Sequence, residues 1–307
     1  MYHLLRCFVT AKCLYLIIQF PLPYTCLDIF LYNKLMNAWR LCLEQTNNED
    51  VSSSTVPAER AQAILDSICE QHESGGEDSL SPNDVSFSLC IHTWVKSNQP
   101  ERAEQILRRK IKFAESNPEQ EKKYSQVQVK PSDYNPIIQR FKGHDNGPER
   151  ATQLFEEMVQ KYTSEENPEL KPNVATLNSL LDVYAKCKSR NMGGQAERVL
   201  NKMNQLHKEG KVCILPDVIS YRSVIDAWIR MWDPAGPRRV DALVNEMIDK
   251  YKHEGREDLR PDTNAFNLVL KACAQVRGRT FVAYYFVHLM CKNKLTLIAP
   301  FVGTCNV

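Results

Sequence analysis

Six side chains recur at almost regular intervals along this chain of 307 residues, at positions 33, 88, 135, 178, 222 and 267. The successive spacings are 55, 47, 43, 44 and 45 residues. Four of the six are asparagines, and the other two are Ser88 and Arg222. An amide side chain both donates and accepts hydrogen bonds. The column therefore suits recognition of a partner by hydrogen bonding rather than the making or breaking of covalent bonds.

No catalytic constellation accompanies this column. The sequence contains no His-Glu-x-x-His, no Gly-x-Ser-x-Gly and no phosphate loop. Its 11 cysteines include no Cys-x-x-Cys pair, which argues against a structural zinc site and predicts free thiols in a reducing compartment. We therefore expect no enzyme activity, no metal and no cofactor.

The elements that position the column are predicted helices. Each polar residue follows an aromatic residue or Leu, and apolar residues recur at offsets 0, 3, 4 and 7 from it, which lie on one helix face. Tyr221, Val224, Ile225 and Trp228 are one example. Three of the four tryptophans occupy the last of these positions. An aromatic stripe at this spacing is typical of a packed core rather than of a cofactor site.

A second amphipathic helix follows each of the first five, and four of these second helices have a Pro just ahead, where its missing N–H costs nothing. Those prolines are Pro57, Pro100, Pro148 and Pro237. A helical hairpin with one apolar seam cannot bury that seam alone, so the hairpins must stack. The sequence thus predicts an all-α solenoid of about six hairpins over residues 28–280.

The two ends depart from this pattern. Residues 1–27 are apolar and carry no acidic residue. An organelle transit peptide, a short signal-type apolar core and a misassigned gene start all remain open for them. Leu14 to Phe20 is too short an apolar run to span a bilayer, so we expect no membrane association. Residues 281–307 form an atypical tail, and a truncated or misassigned repeat is one interpretation.

The junctions between hairpins carry a family resemblance. They read Ser81-Pro82-Asn83-Asp84-Val85, Lys171-Pro172-Asn173-Val174-Ala175, Leu215-Pro216-Asp217-Val218-Ile219 and Arg260-Pro261-Asp262. With the later Ala-x-x-Leu-x-x-x-Met helices, this pattern resembles the pentatricopeptide repeat family, although the repeats are longer than that family's usual ones. The tetratricopeptide repeat is the nearest rival, and its Trp-x-x-Leu-Gly-x-x-Tyr signature is absent.

The resemblance implies a right-handed α-solenoid that binds single-stranded RNA, with one base read per repeat. It implies these base-contacting residues: Asn33, Asn83, Ser88, Asn135, Asn173, Asn178, Asp217, Arg222, Asp262 and Asn267. It implies that bases are sandwiched by Phe30, Val85, Ala175 and Ile219. Lys130 and Ser132 both remain candidates for the partner of Ser88. Arg222 cannot accept a hydrogen bond, so gripping a phosphate and stacking on a base both remain open for it.

The resemblance also implies a closing partner for each reader in the polar column: Asn83 for Asn33 in copy one, Asn173 for Asn135 in copy three, Asp217 for Asn178 in copy four and Asp262 for Arg222 in copy five. In the family, Asn paired with Asn or Asp is associated with pyrimidines. We expect C or U at copies one and three and U at copy four. The competing interpretation of any single Asn is a helix cap or a turn residue.

Charge is segregated along the repeats, although the whole chain carries only +2. The first-helix windows 33–42, 84–97, 134–143, 174–190, 218–232 and 263–279 sum to +10, which leaves −8 elsewhere. Lys142, Lys186 and Arg230 are therefore candidate phosphate contacts. Cations at helix C-termini are also favoured without any ligand, so solvated helix ends are the alternative.

The favoured function is a sequence-selective RNA-binding adaptor in the processing, stability or translation of organelle RNA, in the mitochondrion or the plastid. Its expected partners are single-stranded, pyrimidine-rich RNA and other proteins on the outer face. Two alternatives stay open: a helical scaffold that binds a peptide, and an enzyme fragment whose catalytic domain lies beyond Val307.

Overall fold

The structure is a computed structural model, and every regular element in the part it describes is helical. It describes residues 28–45, 55–74, 81–116, 127–164, 167–187, 189, 191–230, 235–262, 264–265, 267–268 and 271–272. The helices are α1 (Ile29–Gln45), α2 (Val56–Glu73), α3 (Asp84–Lys96), α4 (Pro100–Ser116), α5 (Pro131–Arg140), α6 (Gly147–Thr163), α7 (Val174–Lys186), α8 (Met192–Lys208), α9 (Val218–Arg230) and α10 (Gly236–His253). The predicted segments 1–27 and 281–307 lie outside the described residues.

The chain forms two compact units, which are described separately. The first runs to Val183 and includes Lys211–Cys213, and the second comprises Tyr184–Gly210 and the chain from Ile214 onward. In the first unit α1 packs on α2, α3 on α4 and α5 on α6, while α1 also packs on α3 and α3 on α5. In the second unit α9 packs on α8 and α10. The predicted all-α class with stacked helical hairpins is confirmed.

The aromatic stripe of the first helices forms the core. Phe87, Tyr134 and Tyr221 have no exposed surface, and the apolar residues at the next two offsets are buried in each of α1, α3, α5, α7 and α9. Trp94 is buried, whereas Trp39 and Trp228 are half-buried. The interpretation of these positions as core is thus confirmed. Because the described part of the stripe is mostly buried, a partner would contact chiefly the remaining faces of each first helix.

Small residues bring the second helices close to their neighbours. The column Ala61, Ala103, Ala151 and Ala196 is fully buried. At Gly193 the approach is tighter still, since a Cβ there would lie 2.6 Å from the Trp228 ring. Bulkier side chains at these positions would force the packed helices apart.

Candidate nucleic-acid interface

Exposed apolar side chains occur at one register of the first helices. Phe30 is 60 % exposed, and Val85 and Ile219 are each 51 % exposed. Ala175, at the same register of α7, is also exposed. Lys34 places its Nζ 4.3 Å from the centre of the Phe30 ring and so adds positive charge beside it. These are the four positions predicted to sandwich bases. They are open to solvent at the start of the helix, next to the polar column.

In the first copy of the repeat, the residue of the polar column contacts its expected closing partner. Asn33 donates from Nδ2 to Oδ1 of Asn83 at 3.2 Å. Asn83 is also the N-cap of α3, because the same Oδ1 accepts the backbone N–H of Ser86 at 3.1 Å. Asn83 is therefore both the N-cap of α3 and a hydrogen-bond partner of Asn33. Asn33 is only 8 % exposed, so a ligand reaches no more than its outer edge.

The third copy uses a hydroxyl as an intermediary. Thr176 donates to Oδ1 of Asn135 at 2.6 Å and lies 3.0 Å from Oδ1 of Asn173, which caps α7. Ser86 plays the same part in the first copy, 2.8 Å from Oδ1 of Asn33. The sequence reasoning missed these hydroxyls. The signal was a Ser or Thr two residues before the polar column, which also recurs at Ser220.

The second copy is built differently. The side chain that the structure brings to Ser88 is Asp133, whose Oδ1 accepts the Ser88 hydroxyl at 3.0 Å, whereas the sequence offered Lys130 or Ser132. The other carboxylate oxygen accepts Nζ of the fully buried Lys110 at 2.7 Å and the backbone N–H of Lys130 at 2.9 Å. A charged, buried contact to Lys110 thus takes the place that the neutral side chains Asn83 and Asn173 have in the first and third copies.

Asp84 completes this charged cluster. Its carboxylate lies 3.0 Å from Nζ of Lys110 and 2.8 Å from Nζ of Lys130. Partial burial alone would raise the pKa of Asp84, but the hydrogen bond from Lys130 and the charge of Lys110 outweigh it and hold that pKa below its ordinary value. The pKa of Lys130 is raised, chiefly by the same hydrogen bond. The cluster comprises two cations and two carboxylates, so it adds no net charge to the interface.

In the second unit, Arg222 pairs with its predicted partner. Its Nη1 lies 3.3 Å from Oδ2 of Asp262. Oδ1 of Asp262 accepts the backbone N–H of Ala265 at 2.8 Å, so Asp262 is also an N-terminal cap. Asp217 caps α9 by the same geometry through the N–H of Ser220 at 2.9 Å. Asn178 is half-buried and Asn267 is exposed.

The predicted phosphate contacts already have carboxylate neighbours. Nζ of Lys142 lies 2.6 Å from Asp182 in the first unit. In the second, Asp226 lies 3.8 Å from Nζ of Lys186 and 2.9 Å from Nε of Arg230. The three cations are 36–46 % exposed. The solvated-end interpretation is thus incomplete, because each cation is paired with a carboxylate that the +10 of the windows already counts.

The described part of the chain also bears on metal binding, membrane spans and reactive thiols. There, no group of three or more His, Cys, Asp or Glu side chains is placed to hold a metal ion. No described helix is long and apolar enough to cross a membrane. Cys69, Cys90, Cys187 and Cys213 are free thiols, as expected, and the first three are buried. Burial raises the pKa of the Cys69 thiol to about 11, so that thiol is unreactive.

The fold and the columns define a helical-repeat protein built from stacked hairpins, and it resembles the pentatricopeptide repeat proteins in its junctions. No family model matches the chain, and no curated protein matches it. Among solved structures, it is similar to the pentatricopeptide repeat protein PPR10 in complex with an 18-nt psaJ RNA element, at 19 % identity and a TM-score of 0.40. It is also similar to PPR10 from maize, at 19 % identity and a TM-score of 0.42. These matches cover 90 % and 88 % of this chain. They cover 41 % and 39 % of the PPR10 chains, so this chain spans about two fifths of their length.

Proposed function

We propose that this protein is a sequence-selective adaptor that binds single-stranded RNA, with one base per repeat. The observation that carries the proposal is the exposed apolar residue at the second position of four first helices, called here the first-helix row: Phe30, Val85 and Ala175 in the first unit and Ile219 in the second. Exposed large apolar side chains at one register are unusual on a soluble surface and mark a binding face. Flat base rings cover such side chains, while neighbouring amides hydrogen-bond the base edges.

Single strands fit this arrangement better than duplexes. Unstacked bases expose both their faces and their Watson–Crick edges, whereas the deep major groove of A-form RNA hides those edges from side chains. Amide pairs such as Asn33 with Asn83 favour pyrimidines, and we propose a pyrimidine-rich target. The expected role is in organelle RNA processing, stability or translation, in the mitochondrion or the plastid. The outer face is left for protein partners, and the adaptor itself carries out no reaction.

Two valines allow a matched test. Val85 and Val56 are each 51 % exposed, but Val85 lies in the first-helix row and Val56 begins the second helix α2. Fluorescence anisotropy with a labelled pyrimidine-rich single strand should show about five- to tenfold weaker binding for Val85→Ala, because two methyl groups would no longer be buried against a base. Val56→Ala should bind as tightly as the parent chain.

A salt titration separates RNA from a peptide ligand. Affinity for RNA should fall as salt rises, because phosphate contacts release counterions. Equal affinities for both valine variants, or an affinity that does not change with salt, would refute the proposal. A peptide scaffold predicts that Val85→Ala still weakens binding of the peptide, while the RNA strand does not bind at all.

A further inference from the structure

Each residue of the polar column is the position expected to read a base, called here the reader position, and the one in the fifth hairpin differs in chemistry from the others. It holds an Arg where the other described reader positions hold an amide or a hydroxyl. The side chain of Arg222 is 35 % exposed and that of its partner Asp262 is 40 % exposed, so solvent reaches both residues. The two lie in the same compact unit and contact each other at 3.3 Å.

We propose that Arg222 and Asp262 together select guanine at this repeat, an inference that rests on the proposed RNA-binding function. The pair offers hydrogen-bond donors on one side and acceptors on the other. Guanidinium has five N–H donors and no acceptor, and an ionised carboxylate is an acceptor only. This division of roles is fixed, unlike that of an Asn pair, which can rotate its amide to suit the base.

The hydrogen bonds of Asp262 leave room for a base. Its Oδ1 accepts the N–H of Ala265 at 2.8 Å, and its Oδ2 accepts Nη1 of Arg222 at 3.3 Å, with Asn264 Nδ2 a longer 3.5 Å away. A carboxylate has about four lone-pair sites. Each oxygen therefore retains accepting capacity. Arg222 commits one terminal nitrogen to Asp262, and its buried Nε has no partner among the described residues.

Guanine matches this set more fully than the other bases. Its Watson–Crick edge places the O6 acceptor beside two adjacent donors, N1–H and N2–H. O6 can accept from Arg222 while both N–H groups donate to Asp262, which makes a bidentate contact. Uracil presents a single N–H, and adenine and cytosine each present one amino group beside a ring acceptor. Each of these bases can donate only one hydrogen bond to Asp262 from this edge, so it makes one charge-assisted contact fewer than guanine does.

The pair also argues against the two roles that the sequence left open. A guanidinium that grips phosphate would first have to leave the carboxylate 3.3 Å away, since that charge opposes the phosphate. A guanidinium that only stacks needs no such partner at its edge. The carboxylate orients the plane of the Arg222 guanidinium at the reader position. The pair therefore acts in selecting a base rather than as a positive charge for any phosphate.

Selection of RNA from a random pool, followed by sequencing, tests this inference. The parent chain should return a motif with one position that prefers guanine by about tenfold. Arg222→Asn recreates the Asn and Asp combination of the fourth copy, so that one position should change from guanine to uracil. Arg222→Lys keeps the charge and loses the planar fork, so guanine preference should fall while the salt dependence stays. Circular dichroism verifies that each variant folds.

The control is Arg230→Ala, which removes a cation outside the reader column. It should weaken binding to every sequence alike and leave the motif unchanged. If the parent chain enriches a motif in which Arg222→Asn changes no position, or weakens all sequences equally, the guanine assignment is wrong and the RNA-binding proposal stands. If the parent chain enriches no RNA, both are wrong.

Discussion

Asn33 of α1 donates a hydrogen bond to Asn83, which begins the next hairpin fifty residues later. The same Asn83 oxygen accepts the backbone N–H of Ser86 and so caps α3. One side chain thus holds the helix start and orients the polar residue of the preceding repeat. The helix cap and the proposed base contact therefore depend on the same side chain, and a mutation can separate them.

Replacing Asn83 separates its two roles. Asn83→Ala should lower the free energy of unfolding by about 1 kcal/mol, the usual cost of losing an N-cap side chain. Asn83→Asp keeps an accepting oxygen at the cap and should stay close to the parent stability while changing the base preferred at one position. Urea denaturation and RNA selection measure the two effects. A loss of stability in Asn83→Asp equal to that in Asn83→Ala would contradict the shared role.

Asp226 should limit the affinity for RNA. It neutralises Lys186 and Arg230, and exposed ion pairs of this kind are weak enough to be given up to a phosphate. Asp226→Asn should tighten binding and steepen the salt dependence by up to about 0.7 in log–log slope for each cation released. Asp249→Asn makes the same charge change on the exposed side of the second helix α10 and serves as the control. Weaker binding by Asp226→Asn would contradict a counter-ion role.

The buried contact of Lys110 with Asp133 should dominate the stability of the second junction. Lys110→Met leaves a buried carboxylate without its cation, so the free energy of unfolding should drop by about 3–5 kcal/mol. The double variant Lys110→Met, Asp133→Asn removes both charges and should recover part of that loss. Arg109 lies on α4, as Lys110 does, and forms a half-exposed ion pair with Asp66 of α2. Arg109→Met breaks that pair and should lower the free energy of unfolding by no more than about 1 kcal/mol. Equal losses for Lys110→Met and Arg109→Met in chemical denaturation would disprove the distinction.

Acid should weaken the same junction through Asp84. Its pKa is lowered in the folded chain from the ordinary 3.8, so its contribution to stability is fully present above that value and is lost as the pH falls through the folded pKa. Asp84→Asn should therefore be less stable than the parent at pH 7, and the difference should shrink below about pH 4. Unfolding curves at pH 7, 5, 4 and 3 measure it. A difference that stays constant down to pH 3 would show that the carboxylate charge is not involved.

The sequence alone determined the helices and much of their faces. Apolar residues at offsets 0, 3, 4 and 7 reflect the helix period, which is local, so Phe87, Tyr134 and Tyr221 could be assigned to the core without coordinates. The positions Phe30, Val85 and Ile219 were singled out by the resemblance of the junctions to a known repeat family, and their exposure is what the structure adds. Caps such as Asn83 and Asp217 also depend only on the next three residues.

The tertiary structure decided which charges meet. Lys110 belongs to a second helix, and nothing in its local sequence shows that it is buried against Asp133. The partner of Ser88 and the carboxylates beside Lys142 and Lys186 were hidden for the same reason. These contacts join residues 23 to 45 positions apart, and only the stacking of hairpins brings them within 4 Å of each other. Electrostatic energies depend on such distances and on burial, which periodicity does not encode.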